Sequence, residues 1–83
     1  MSRKEKLLIR LCGSPKDFSW DETCTLMRQC GYELRKGTGS RRAFIHPDGR
    51  PKVFMHEPHP DSILKPYAVK QLIDDLRDAG EIE

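Results

Sequence analysis

The sequence predicts an α+β fold, a three-stranded antiparallel sheet with helices on one of its faces, in the order α-α-β-β-β-α. Three observations predict it. Apolar residues recur at helical spacing near both ends of the chain, within residues 3–12, 19–30 and 66–79. Between them, residues 32–56 hold short alternating or apolar runs of strand length. Those runs are separated by two compact turn sequences, Gly37-Thr38-Gly39-Ser40 and His46-Pro47-Asp48-Gly49.

Each element has its own signal. Residues 3–12 place Leu7, Leu8 and Leu11 at i, i+1 and i+4, a short amphipathic helix that Gly13 ends, with Ser14-Pro15 as a linker. Ser19 is followed three residues later by Glu22, a capping box in which hydroxyl and carboxylate each satisfy a free backbone N–H. The second helix begins there. Trp20, Thr23, Cys24, Met27 and Cys30 share one of its faces, and Gly31 is placed to stop it in a left-handed cap.

The strands follow. Residues 32–36 alternate, with Tyr32 and Leu34 expected inward and Glu33 and Arg35 outward. Residues 42–46 form the second strand around Phe44 and Ile45, and a third runs from about residue 52 to 56. Residues 57–65, with two prolines, are expected to cross the sheet as an irregular loop. Pro66 suits the first turn of a helix whose Val69, Leu72, Ile73 and Leu76 fall at i, i+3, i+4 and i+7. Gly80 ends it and leaves an acidic tail that includes Glu81 and Glu83. The last two helices are expected to cover one sheet face and leave the other open to a partner.

Eighty-three residues suffice for one modest core. The chain is therefore expected to be a single domain, 1–83, with 1–13 an extra N-terminal helix and 19–80 the central unit. No run of some twenty apolar residues is present, so no membrane span is expected. The apolar stretch of the N-terminal segment is broken by Arg10 and no small-residue cleavage site follows, which points to the cytosol. Cys12, Cys24 and Cys30 are odd in number and lack Cys-x-x-Cys spacing, and are read as buried reduced thiols. The net charge of +2 is small, but the signs are segregated: acid gathers at the C-terminal end and base in the centre.

That basic centre, residues 36–52, carries Lys36, Arg41, Arg42, Arg50 and Lys52 against Asp48 alone. Guanidinium and ammonium groups in such number suit phosphate contacts, and the other reading is a solvated charged face. Gly39 and Ser40 lie in a turn whose N–H groups could cradle a phosphate, or simply close a hairpin; it lacks the Gly-Lys-Ser/Thr of a nucleotide-binding loop. Phe44 and Phe54 offer rings for base stacking, although a chain this small needs at least one of them inside.

Metal-free RNA cleavage needs a base, an acid and a cation, and arginine supplies only the cation. The proton carriers available are His46, His56 and His59. His56, at the end of the third strand, is favoured; His46 begins a turn and is equally read as structural. His56-x-x-His59 lacks a third ligand at a defined spacing, so no metal and no small-molecule cofactor is expected.

The order of these pieces from Ser19 to Gly80 resembles the HicA family of bacterial toxin-antitoxin toxins. The resemblance rests on a Ser-started helix ending in Gly31-Tyr32, a Gly39-Ser40 turn, Phe44-x-His46-Pro47-Asp48-Gly49-Arg50, and His59-Pro60 followed by Leu64-Lys65-Pro66. It implies an RNA-cleaving toxin with a fold similar to a double-stranded-RNA-binding domain, neutralised by a HicB-like antitoxin. The family usually carries a histidine just after the turn, where this chain has Arg41 and Arg42. Two other functions stay open: an RNA-binding module that does not cleave, and a protein-interaction domain whose basic face docks an acidic partner.

Overall fold

The computed structural model describes residues 2–59 and 61–82; Pro60 of the family motif and Glu83 of the acidic tail lie outside them. The elements are α1 (Arg3–Cys12), α2 (Trp20–Gln29), β1 (Glu33–Lys36), β2 (Arg41–Ile45), β3 (Val53–His56) and α3 (Pro66–Asp78). This is the expected α+β order.

The helix ends follow the sequence signals. Ser19 Oγ accepts from Glu22 N at 3.0 Å while Ser19 N donates to Glu22 Oε1 at 3.2 Å, so the capping box is complete. Gly31 follows α2 with φ +91°, and a Cβ there would lie 2.8 Å from His46 Nε2, so glycine is required by both conformation and space. Pro66 opens α3, where its missing N–H costs nothing.

The sheet is antiparallel in the order β1-β2-β3. Its pleat sends Phe44, Val53 and Met55 to the helices, which all pack on that side. Arg35, Arg41, Ala43, Phe54 and His56 fall on the opposite, uncovered face. Leu11, Phe18, Leu26, Met27, Phe44, Val53, Leu72 and Leu76 are fully or almost fully buried, and the Trp20 and Phe44 rings meet at 5.7 Å. Burying one such side chain contributes about 1.5–3 kcal/mol, offset largely by chain entropy.

Several expectations change. Leu34 is not buried: β1 is an edge strand with all four residues exposed, and the inward tyrosine, Tyr32, lies just before it. The second strand begins one residue earlier, at Arg41. Residues 57–65 do not simply cross the sheet. They return to the start of α2, where Trp20 N donates to Ser62 O at 2.7 Å and Leu64 N to Phe18 O at 2.9 Å, burying Phe18, to which the sequence reading gave no role. Of the cysteines only Cys30 is buried, its thiol pushed up to about 11 by desolvation; Cys24 is half-buried and Cys12 exposed. No helix among the described residues is long and apolar enough to cross a membrane.

Candidate nucleic-acid interface

The β1–β2 turn and the end of β3 meet at one corner of the open face. In the β2–β3 register Arg41 is the partner of His56. Glu57 N donates to Ser40 O at 2.8 Å, tying the chain after β3 to the turn, and Ser40 Oγ lies 3.1 Å from His56 Nδ1. Strand alternation places Arg41 and His56 together on the solvent side, and both are exposed.

Two hollows flank this corner. One, of about 420 Å³, is lined by residues that include Arg35, Lys36, Arg41, Arg42, Phe54 and His56. The other, of about 530 Å³, is lined by residues that include Ser40, His56, His59, Lys65 and Tyr67, and also by Glu57 and Asp61. His56 belongs to both, so it stands between a cationic trough and a second imidazole.

The central basic stretch does not form one continuous patch. Lys36 and Arg41 are exposed at this corner. Arg42 alternates to the helix side, where its guanidinium donates to Glu57 Oε1 at 3.0 Å and to Gly39 O and Arg41 O at 2.8 Å. With its side chain 13% exposed, Arg42 holds the turn against the β3 exit instead of facing solvent. Arg50 and Lys52 lie in the connection at the far end of β2. That end is three register positions away, from Arg41↔His56 to Phe44↔Val53, about 10 Å at the usual strand rise.

Arg50 is also neutralised, because its guanidinium donates to Glu81 Oε1. The same carboxylate pairs with Lys4 Nζ at 2.8 Å. Burial drives the Glu81 carboxyl upward, but the hydrogen bonds from Lys4 and Arg50 outweigh it and hold the group below its ordinary range. The expected segregation of acid from base therefore fails at this point: the acidic tail folds back onto the basic stretch.

The turn glycines are engaged locally. Gly37 N donates to Arg41 O at 2.8 Å and Arg41 N to Thr38 O at 3.2 Å, which closes the hairpin. Gly39 has φ +61°, and its carbonyl is one of the two held by Arg42.

His46 is placed in the interior, 8% exposed. Asp48 N donates to its Nδ1 at 3.1 Å, so the ring proton sits on Nε2, which donates to Cys30 O at 3.1 Å. Its ring meets Tyr32 edge-on at 5.0 Å. His46 thus links the end of α2 to the β2–β3 turn and is not at the open face. Two residues that charge counting overlooked are at the corner instead: Arg35, from the outward side of β1, and Tyr67, from the first turn of α3. Strand alternation points to Arg35; nothing in the sequence pointed to Tyr67. Among the described residues no group of three metal-ligating side chains occurs.

Helices lie on one side of a three-stranded antiparallel sheet, and cations and an imidazole gather on the other. The chain belongs to the HicA family: the model described as HicA toxin of bacterial toxin-antitoxin matches residues 20–81. It is a toxin of a toxin-antitoxin system, a class that implies a cognate antitoxin. Comparison with curated proteins and with solved structures gives no match. The matched residues exclude α1, which is fastened to the matched part by Arg10 on Glu22 at 2.6 Å and by Lys4 on Glu81.

Proposed function

We propose that this toxin binds RNA along the open sheet face and cleaves it at the His56 corner without a metal, and that a HicB-like antitoxin neutralises it by covering that face. The observation that carries the reading is the pairing of an exposed guanidinium and an exposed imidazole, Arg41 opposite His56, with Ser40 Oγ 3.1 Å from the ring.

The chemistry follows from these groups. With Nδ1–H donating to Ser40 Oγ, His56 Nε2 is free to take the proton of a 2′-hydroxyl. The 2′-oxygen attacks the adjacent phosphorus, and Arg41 neutralises the negative charge that builds on the phosphate oxygens. The P–O5′ bond breaks, and the departing 5′-oxygen takes a proton from His59, which lines the same hollow as His56. A 2′,3′-cyclic phosphate and a 5′-hydroxyl result.

Incubating the purified toxin with single-stranded RNA in excess chelator tests this. Fragments ending in 2′,3′-cyclic phosphate are expected, and intact RNA would contradict the reading. One observation favours a second reading, RNA binding without cleavage: arginines occupy both positions after the turn. Salt-sensitive binding with no fragments would select it.

A further inference from the structure

Two of the large apolar side chains exposed on this protein, Phe54 at 68% and Tyr67 at 71%, flank one cleft. Its volume is about 180 Å³, and Met55, His56, Ala68 and Gln71 complete the lining. Phe54 projects from the open face opposite Ala43, whose methyl group leaves the ring uncovered. Gln71 Nε2 is engaged with Asp75 Oδ1 at 3.1 Å, which leaves its carbonyl oxygen as an acceptor. Flat aromatic surface, a small apolar floor and a single amide are what one heterocyclic base needs for stacking and an edge contact.

The charge around the cleft selects the occupant. Phe54, Met55 and His56 are shared with the trough that carries Arg35, Lys36 and Arg41, so a polyanionic backbone lying on those cations passes the mouth of the cleft. Arg35 is held by Glu33 at 2.9 Å, but an apolar protein side chain in the cleft would leave the exposed Lys36 and Arg41 unmatched.

We propose that the Phe54–Tyr67 cleft holds one unpaired nucleobase of the RNA, stacked on Phe54 and seated next to His56. The proposal rests on the RNA reading above and extends it. It makes the substrate single-stranded at the reacting nucleotide, because a paired base cannot leave its stack to enter the cleft without the cost of flipping. It also makes Phe54 and Tyr67 the residues that set which phosphate is presented to His56.

The test uses short single-stranded RNAs in which 2-aminopurine occupies each position in turn, with anisotropy reporting affinity and fluorescence reporting stacking. The intact toxin should quench 2-aminopurine at one position more than at the others. Phe54→Ala and Tyr67→Ala should each weaken binding roughly 5- to 100-fold and abolish that quenching, with the salt dependence unchanged. Phe54→Trp should retain both. Because both side chains are exposed, unchanged melting temperatures are expected in all three variants. Variants that bind and quench as the parent does would overturn the proposal, leave the cleft to a protein side chain, and leave RNA binding standing. No affinity of the parent for RNA at low salt would remove both readings together.

Discussion

His56 stands across the β2–β3 ladder from Arg41, its Nδ1 3.1 Å from the hydroxyl of Ser40. The placement depends on register, since a slip of one residue would send the imidazole to the helix side. Arg41 follows the turn, and the imidazole comes from the adjoining strand. If Ser40 orients the ring, Ser40→Ala should lower RNA cleavage about tenfold while leaving RNA affinity within twofold, measured by single-turnover kinetics and anisotropy.

The two arginines after the turn should behave differently. Arg41 is exposed, so Arg41→Ala should reduce the slope of log K against log salt by about 1 without a change in melting temperature. Arg42 is held by Glu57 and two carbonyls, so Arg42→Ala should destabilise the fold by about 1–3 kcal/mol in urea titrations and leave the salt slope nearly unaltered.

A side chain at Gly31 would be strained in both backbone and space. Gly31→Ala forces an L-residue to φ +91° and puts a methyl group 2.8 Å from His46 Nε2, breaking the ring's bond to Cys30 O if the ring moves. A loss of about 2–4 kcal/mol is expected, read from chemical denaturation.

The Glu81 clamp gives the fold an acid-sensitive component. Its carboxyl is held below the ordinary 4.5 in the folded state by Lys4 and Arg50. The unfolded chain therefore takes up this proton first as pH falls, and the stabilisation is fully present above about pH 4.5 and is lost as pH drops through the folded-state value. Glu81→Gln should flatten the decline in melting temperature below pH 4.5 and lower stability at pH 7 by about 1–2 kcal/mol, a figure reduced for the partial exposure of both cations.

The sequence announced those parts of this fold whose signals are local. Helical spacing, the Ser19–Glu22 box, Gly31 and Pro66 located the helices, and the two turn sequences located the strands. What it did not show depends on contacts between distant residues. Phe18 is buried because residues 62–64 return to it, and Leu34 is exposed because β1 is an edge; neither fact is written in a local pattern. Charge counting grouped Arg41, Arg42 and Arg50 as equals, but strand alternation turns Arg42 inward and the tail claims Arg50. Tyr67 reaches the corner only through the packing of α3 on β3.

The most direct measurement is the rate of RNA cleavage by His56→Ala beside the parent toxin, with folding matched by melting temperature. His56 is exposed, so its loss should spare the fold while removing the proposed proton carrier, and cleavage should fall by about 100-fold or more. An undiminished rate in a folded His56→Ala protein would contradict the account.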